Sequence, residues 1–430
     1  MKLHERTALV GLAPSRARQH EAEQSLDELA GLVAAAGGRA VLRLLQERPH
    51  PDPASFIGRG KVRELSLACA ELNIDLVVCD RELTPTQVRR LEKELGTHVI
   101  DRTQLILDIF ARRARTREGK AQVELAQLQY LLPRLTGHGV ELSRLGGGIG
   151  TRGPGETKLE TDRRRIRRRI AAISDGIEAV RARRARLRAR RQKSAVPTVA
   201  LVGYTNAGKT TLFNLLTDAT SAVSDALFVT LDPLLRRVRL PDQRELLISD
   251  TVGFIDRLPH ALVAAFRATL EEVRDADVLL HVIDASAADR ERRVAAVHAV
   301  LEEIGADIVP CVEVYNKIDK VERAEQERIE AAGEASVAVS ARTGYGRDAL
   351  LGRIMEMLGL ATETVTVSCN PAAEEGRRLL AWIYRHGRVI THTERRSRAV
   401  VEAEVPKRGF AAFRKSRAGA AGTACRERRA

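Results

Sequence analysis

A glycine-rich run that ends in Lys209 and Thr210 carries the clearest chemistry in this sequence. Residues 203–210 read Gly-Tyr-Thr-Asn-Ala-Gly-Lys-Thr and match G-x-x-x-x-G-K-[ST], a loop whose backbone amides bind phosphate. A β-rich run, 199–202, precedes the loop and a helical pattern, 211–216, follows it, so the loop is expected at a helix N-terminus, where anions are stabilised. Lys209 is predicted to contact the β- and γ-phosphates of a nucleotide, and the Thr210 hydroxyl to ligate Mg²⁺. The loop residues predicted to bind the nucleotide are Gly203, Tyr204, Thr205, Asn206, Ala207, Gly208, Lys209 and Thr210.

A second motif, D-x-x-G, begins at Asp250, directly after the predicted strand 246–249. A carboxylate at a strand end can hold Mg²⁺, commonly through water, and the Gly253 amide is placed to sense a γ-phosphate. The motif is weak evidence alone, and its position after the phosphate loop gives it weight. Its predicted nucleotide-binding residues are Asp250, Thr251, Val252 and Gly253.

Thr230 lies between these two motifs. It is the best candidate for a mobile threonine that completes the Mg²⁺ shell only when a triphosphate is bound. The surrounding residues predicted to bind the nucleotide are Phe228, Val229, Thr230, Leu231 and Asp232. The predicted metal ligands are therefore Thr210, Thr230 and Asp250, and the predicted catalytic residues are Lys209, Thr230 and Gly253.

Base selection is predicted for Asn316-Lys317-Ile318-Asp319, which follows the predicted strand 309–314. The Asp319 carboxylate can accept from the ring N–H and the exocyclic amine of guanine. Adenine would present an acceptor there, and a buried mismatch of this kind can discriminate by about 10⁴-fold. Asn316 is expected to brace the loops, and the Lys317 stem to cover the ring. Ser340, Ala341 and Arg342 are expected to close over the base, so the predicted nucleotide is GTP.

The catalytic equipment is less complete. Many GTPases carry Gln directly after the glycine of D-x-x-G, where it orients the attacking water. This chain has Phe254, which cannot hydrogen-bond a water. We therefore expect slow hydrolysis by the protein alone and acceleration by a partner. Asn206 suggests a further hypothesis, that a monovalent cation such as K⁺ supplies the missing positive charge.

The elements around these motifs predict an α/β protein with several domains. Strand patterns at 7–11, 40–45, 75–78 and 98–100 alternate with helix patterns at 21–36, 61–72 and 85–95, which is typical of a parallel sheet with helices on both faces. We predict an N-terminal α/β domain (1–103), a long antiparallel helical hairpin with a Gly-rich loop (104–195), a phosphate-loop GTPase domain (196–358) and a small C-terminal α/β domain with a basic tail (359–430). A predicted β-hairpin, 237–240 with 245–249, favours a translation-factor-like GTPase over other phosphate-loop classes. The tail after Pro406 is expected to be disordered.

The second helix of the predicted hairpin has a narrow apolar seam. Its members recur at steps of three, four or seven residues, which is typical of a coiled-coil contact. They are Leu159, Ile166, Ile170, Ile173, Ile177, Val180 and Leu187. Arginines cover the other faces.

Composition excludes some classes of protein. No apolar stretch approaches the roughly 18 residues that a membrane span requires, and the N-terminus lacks the apolar run of a signal peptide. The five cysteines are scattered without a C-x-x-C pair, which favours reduced thiols in a cytosolic protein. The sequence therefore predicts a cytoplasmic protein without a membrane span.

The net charge of +14 is concentrated in two segments. Residues 157–193 contain 15 Lys or Arg against 4 Asp or Glu, and residues 395–430 contain 11 against 3. Two basic arms on a nearly neutral body favour a polyanionic partner, most simply RNA. A solvated face is the alternative explanation for such runs.

The chain resembles the HflX family of ribosome-associated GTPases. The motifs that carry this resemblance are FIGRGKV at 56–62, VIDRT at 99–103, QVELAQL at 122–128, GGGIGTRGPGET at 146–157, FVTLDP at 228–233 and DTVGFI at 250–255. The resemblance covers about residues 5–360 and continues loosely to about 405. The residues from about 407 to 430 do not resemble the usual ending of the family. From its residues alone, FIGRGKV is interpreted as a strand-to-helix turn.

The resemblance implies a cytoplasmic monomer that binds the large ribosomal subunit in its GTP state and splits or rescues ribosomes, or acts in subunit maturation. It also implies that the glycine loop 146–155 approaches the peptidyl-transferase region and that the arginines from Arg163 to Arg191 lie against ribosomal RNA. From its residues alone, the glycine loop is equally well explained as a hinge.

Two other functions stay open from the sequence. The chain could be a GTP-gated RNA-binding factor in large-subunit assembly, with hydrolysis serving only for release. It could also be a regulatory GTPase with a protein partner, in which case binding would be insensitive to salt, unlike binding to RNA.

Overall fold

The chain forms two compact units, Met1–Thr343 and Gly344–Ala430, each described here by itself. The computed structural model describes residues 5–137, 154–193, 196–219, 227–228, 234–240, 244–256, 270, 272–331, 336–359, 362–395, 398–406 and 410. The division into four domains stays a prediction. The predicted class, an α/β protein with a phosphate-loop GTPase domain, an N-terminal α/β domain, a helical hairpin and a small C-terminal α/β fold, is confirmed.

The first sheet of the larger unit is parallel, with strand order β2-β1-β3-β4. Its strands are β1 (Arg6–Ala13), β2 (Arg39–Glu47), β3 (Leu76–Cys79) and β4 (His98–Asp101). The helices that accompany it are α1 (Gln19–Ala35), α2 (Arg59–Glu71), α3 (Pro85–Leu95) and α4 (Arg102–Arg113). Alternate residues of β1 enter different cores, because successive side chains of a strand point to opposite faces: Leu9 packs with α1 and α4, and Val10 with α2 and α3. The strand–helix alternation predicted from the sequence is therefore confirmed.

Two helices follow this sheet and pack against each other: α5 (Arg117–Leu131) and α6 (Pro154–Lys193). Thr116 precedes α5 and caps it, because its hydroxyl accepts from the Gly119 N–H. Ile173 of the predicted seam is buried, whereas Val180 is 37% exposed. Among the side chains that the structure describes, the seam is therefore buried at Ile173 and exposed by Val180, while Leu159 and Leu187 lie outside that set. The predicted loop 146–155 lies outside the described residues up to 153, and its last two residues already belong to α6, since Pro fits the first turn of a helix.

The second sheet has strand order β10-β9-β8-β5-β7-β6, parallel except for the β6–β7 pair. Its strands are β5 (Thr198–Gly203), β6 (Leu234–Arg239), β7 (Glu245–Asp250), β8 (Val278–Asp284), β9 (Cys311–Asn316) and β10 (Ser336–Ala338). The helices are α7 (Lys209–Thr217), α8 (Arg290–Glu303) and α9 (Arg323–Ala331). The predicted β-hairpin is the antiparallel β6–β7 pair, with β6 beginning three residues earlier than expected. The carboxyl ends of β5, β7, β8 and β9 lie at one edge of the sheet, where ligands of such folds bind.

The smaller unit contains α10 (Arg347–Met357) and a three-stranded antiparallel sheet of order β11-β13-β12. Its strands are β11 (Thr362–Cys369), β12 (Arg388–Arg395) and β13 (Arg398–Pro406), and α11 (Glu374–His386) packs on one face of the sheet. Phe410 is buried beside Trp382, with ring centroids 5.8 Å apart. The predicted disordered tail otherwise lies outside the described residues. No helix in the described part of the chain combines the length and the hydropathy needed to cross a membrane.

Candidate functional site

The phosphate loop connects β5 to α7, and two of its glycines could not be replaced. Gly203 has a φ of 150°, and a Cβ there would lie 2.3 Å from the carbonyl oxygen of Val282. Gly208 has a φ of 91°, and its Cβ would lie 2.3 Å from Nδ2 of Asn316. Both positions therefore require glycine on conformational and steric grounds. The loop begins at the end of β5 and ends in the first turn of α7, as a strand–loop–helix phosphate site requires.

Lys209 begins α7 and is buried. Its ammonium group donates to the carbonyl oxygens of Gly203 (3.0 Å) and Tyr204 (2.7 Å). Burial lowers the pKa of Lys209 to about 8; Asp250 opposes this shift and Lys317 adds to it. The side chain thus lies inside the loop as a buried cation, and a nucleotide phosphate would give it the opposite charge that burial demands.

Two of the predicted metal ligands are adjacent. The Thr210 hydroxyl donates to Oδ2 of Asp250 at 2.8 Å, so the start of α7 meets the end of β7. Hydroxyl and carboxylate oxygens are the hard donors that Mg²⁺ prefers, and Mg²⁺ usually takes only one or two protein ligands beside phosphates and waters. The described oxygen donors therefore fit Mg²⁺. The third predicted ligand, Thr230, lies outside the described residues, as do Val229, Leu231 and Asp232.

The D-x-x-G segment is joined to the phosphate loop through its backbone. Thr205 donates its N–H to the carbonyl of Phe254 (2.7 Å), and Phe254 donates its N–H to the carbonyl of Gly203 (3.1 Å). A Cβ on Gly253 would lie 3.0 Å from Nζ of Lys209, so this glycine lies directly beside the lysine of the loop. The Phe254 ring is buried in the core and only 2% exposed.

The side chains of Thr251 and Val252 also face the protein. Thr251 donates its hydroxyl to the carbonyl of Leu201 at 2.6 Å, and Val252 belongs to the same core cluster as Phe254. Any contact of these two residues with a nucleotide would therefore be made by the backbone.

The base-recognition loop is braced against the phosphate loop. Asn316 donates its amide to the carbonyl of Ala207 (2.9 Å) and accepts from the N–H of Ala341 (2.9 Å). Lys317 donates to the carbonyl of Asn206 (2.7 Å) and to Oδ2 of Asp284 (2.8 Å). Asn316 and Lys317 thus connect the phosphate loop, their own loop and the loop that contains Ala341. The sequence predicted that these three loops meet.

Asp319 is oriented by a neighbouring hydroxyl. Ser340 donates its Oγ–H to Oδ1 of Asp319 at 2.6 Å. Ile318 is buried and Arg342 is exposed. The structure therefore brings the segment 316–319 together with the segment 340–342, and the Ser340 hydroxyl binds one of the two Asp319 carboxylate oxygens.

Sequence reasoning missed three residues that contact this site. Asp284, at the end of β8, pairs with Lys317. Burial raises the pKa of this carboxyl, but Lys317 and Ser286 outweigh burial and lower it overall. It could have been suspected, since it ends a strand as Asp250 does. Glu28 on α1 and Arg102 on α4 contact the phosphate loop and the D-x-x-G segment from the first sheet, and no sequence signal joins positions so distant.

The fold and the pocket together define a GTPase of the phosphate-loop class. Family models match three consecutive parts of the chain: one described as GTP-binding GTPase N-terminal over residues 23–111, one as GTP-binding GTPase Middle Region over 113–191, and one as 50S ribosome-binding GTPase over 198–317.

Curated relatives extend the match to most of the chain. The GTPase HflX of Caldanaerobacter subterraneus is 49% identical over 84% of this chain and 82% of its own length. The GTPase HflX of Lacrimispora saccharolytica is 43% identical over 96% of both chains. A GTP-binding protein from Sulfolobus solfataricus, solved in complex with GDP, is similar over 82% of this chain and 98% of its own at 24% identity, with a TM-score of 0.43. The chain belongs to the HflX family of GTPases.

Proposed function

We propose that this GTPase binds the large ribosomal subunit in its GTP state and thereby splits or rescues ribosomes, with hydrolysis to GDP and phosphate returning it to the free form. The match of residues 198–317 to the 50S ribosome-binding GTPase model supports this proposal. The long helix α6 supports it independently.

The exposed arginines of α6 are the observation that carries the proposal. Arg164, Arg165, Arg167 and Arg168 are exposed side chains within two turns of one helix. Arg169 beside them pairs with Glu124 of α5, which ties this part of α6 to α5. Arginine is the side chain best suited to phosphate, since its planar donors match the phosphate oxygens. A rigid row of guanidinium groups fits an RNA backbone better than it fits a neutral protein surface.

The chemistry of the pocket follows from the roles proposed for its residues. Lys209 binds the β- and γ-phosphates, and the Gly253 amide detects the γ-phosphate. Asp319 and Ser340 select guanine, while Asn316 and Lys317 hold the loops in register. Thr210 and Asp250, joined by Thr230, would hold Mg²⁺, which when bound neutralises charge on the phosphates. Potassium at Asn206 is a further part of the proposal.

Slow hydrolysis without a partner also belongs to the proposal. The Phe254 side chain lies in the core and offers no hydrogen bond to a water. We propose that the ribosome completes the catalytic site, that the protein acts as a cytoplasmic monomer, and that its four segments (1–103, 104–195, 196–358 and 359–430) serve as separate domains.

Sedimentation of ribosomes tests the proposal directly. Purified protein is mixed with intact ribosomes in GTP, GDP or a non-hydrolysable GTP analogue, and the profile is recorded. We expect free subunits to accumulate with GTP and with the analogue, and the protein to migrate with the large subunit only in those two conditions. Intact ribosomes in all conditions, with protein on free large subunits alone, would favour a role in subunit assembly.

Charge reversal on α6 tests the surface. Arg164→Glu with Arg168→Glu places two negative charges one turn apart on the exposed face. We expect loss of co-sedimentation while GTP binding is unchanged. Arg59→Glu with Arg63→Glu, exposed at the same spacing on α2, makes the same change in net charge elsewhere and should leave co-sedimentation intact. Equal loss in both double variants would show that only net charge matters.

A further inference from the structure

Glu28 of α1 reaches out of the first sheet to the phosphate loop of the second. Its carboxylate accepts from the Tyr204 hydroxyl and from the Arg102 guanidinium. Arg102 also pairs with Asp80 at 2.9 Å. The Arg102 side chain is only 4% exposed, so its charge requires both carboxylates. Burial lowers the pKa of Arg102, but Glu28 and Asp80 outweigh burial and raise it overall.

The other end of this network is Asp256, in the segment that follows the D-x-x-G motif. The Tyr204 hydroxyl accepts from the backbone N–H of Asp256 at 2.8 Å, and Arg102 donates to the Asp256 carbonyl at 3.4 Å. The peptide groups on both sides of Asp256 are thus bound by side chains that Glu28 orients. Asp256 lies three residues after Gly253, the glycine predicted to detect the γ-phosphate.

The segment that leads to Thr230 has a similar contact. The Phe228 ring packs against Phe110 of α4, with centroids 4.6 Å apart and planes at 71°. A Cβ on Gly31 of α1 would lie 3.3 Å from Leu227, so that helix approaches the same segment closely. The N-terminal helices therefore contact the two segments whose positions depend on the γ-phosphate in GTPases.

The geometry points to Glu28 and Arg102 as positioning residues of the GTPase site. They act through the Tyr204 hydroxyl and the Asp256 backbone to hold Gly253 beside Lys209, the arrangement that suits a triphosphate rather than a diphosphate. The Tyr204 hydroxyl donates to Glu28 and accepts from the backbone N–H of Asp256, so it connects α1 to the segment that follows Gly253. Loss of this hydroxyl breaks the connection and leaves the loop backbone and Lys209 unchanged in sequence. This inference rests on the GTPase activity and is independent of the ribosome proposal.

Tyr204→Phe and Glu28→Gln test the inference. The first removes one oxygen from an otherwise unchanged ring, and the second removes the charge that orients Arg102. Affinities for GDP and for a non-hydrolysable GTP analogue are measured by calorimetry, and single-turnover hydrolysis by phosphate release, all without ribosomes. We expect each variant to weaken binding of the analogue at least about threefold more than it weakens binding of GDP, and to slow hydrolysis.

The double variant separates a shared connection from two independent effects. Because both changes act on the one network that joins Glu28, Tyr204 and Asp256, the double variant should be no worse than the worse single variant. Glu21→Gln, an exposed glutamate on the same helix, is the matched control and should change nothing. If the variants lower the melting temperature but leave the analogue-to-GDP ratio and the hydrolysis rate unchanged, the network only joins the two sheets and the inference is wrong. Removal of Arg102 is avoided, since it would take away the cation that two buried carboxylates share.

Discussion

Asn316 joins two loops of the nucleotide pocket by donating its side-chain amide to the carbonyl oxygen of Ala207 at 2.9 Å. The same side chain accepts from the N–H of Ala341. This buried amide, together with the bond from Lys317 to the carbonyl of Asn206, therefore sets the spacing between the phosphate loop and the base loop. Nδ2 of Asn316 also lies next to Gly208, where it would be 2.3 Å from an added Cβ.

Gly208→Ala should abolish nucleotide binding. The new methyl group would meet Nδ2 of Asn316 at 2.3 Å, and alanine is strained at a φ of 91°. Something in the loop must move, and the amide directions that bind phosphate would be lost. We expect no measurable GTP binding by calorimetry in a protein that still folds by circular dichroism. Gly352→Ala, inside α10 with open space around its Cβ, is the control and should bind GTP normally.

Asp319→Asn should change the preferred base from guanine to xanthine. A carboxylate can accept from two guanine N–H groups, whereas an amide can donate to the additional carbonyl of xanthine. Its Oδ1 would still accept from Ser340, so the loop should keep its shape. We expect GTP affinity to fall by roughly 10⁴-fold and the xanthosine triphosphate to bind instead. Asp307→Asn, at an exposed position, should leave the preference for guanine unchanged.

Phe254→Gln should fail to accelerate hydrolysis, although glutamine orients water at this position in other GTPases. The Phe254 side chain is buried, and an amide there would lie in an apolar core without a partner. We expect the free energy of unfolding to fall by about 3 kcal/mol, and the single-turnover rate not to rise. Phe254→Leu keeps the site apolar and should be destabilised less. A faster glutamine variant would mean that position 254 turns toward the nucleotide when GTP binds.

His281 should make the larger unit sensitive to acid. Burial, with smaller contributions from His298 and Lys209, lowers the pKa of His281 from its ordinary value of 6.5 to about 3. The unfolded chain therefore takes up a proton near pH 6.5, whereas the folded chain does not until about pH 3, so stability falls as pH decreases between these values. From about pH 6.5 to about pH 5 this residue should remove roughly 1.5 kcal/mol of unfolding free energy.

Urea unfolding at those two pH values, for the wild type and for His281→Leu, measures this contribution. The leucine variant retains every other titrating group but lacks this one, so its stability should fall less by the stated amount. Equal losses in the two proteins would mean that His281 is protonated in the folded state.

Much of the fold and the pocket is predictable from local sequence. The phosphate loop needs glycine at 203 and 208 for reasons that any such loop shares, and β3 is recognisable because four consecutive apolar residues fill a buried parallel strand. Asp319, Asn316 and Ser340 follow strands in an order that predicts their meeting. The limits of these elements were less accurate, as at Pro154, where a proline assigned to a loop begins a helix.

The contacts between the two sheets of the larger unit were not predictable. Glu28, Arg102 and Phe110 lie on α1 and α4. The helical pattern alone predicts that the two charged residues are on the surface and that Phe110 is in the core. Their role depends on which surface of one sheet meets the other, and no periodicity or spacing encodes that. The orientation of Phe254 was missed for the same reason: its type ruled out water binding, but only the tertiary structure shows the ring in the core.

Binding of the large ribosomal subunit by Asp319→Asn protein is the most direct test that nucleotide in this pocket controls the engagement of the basic helix. Wild-type and variant proteins are sedimented with large subunits in a non-hydrolysable GTP analogue, the corresponding xanthosine analogue, or GDP. We expect the wild type to bind only with the GTP analogue and the variant only with the xanthosine analogue. Binding by either protein in all three conditions would contradict nucleotide control and with it the proposed function.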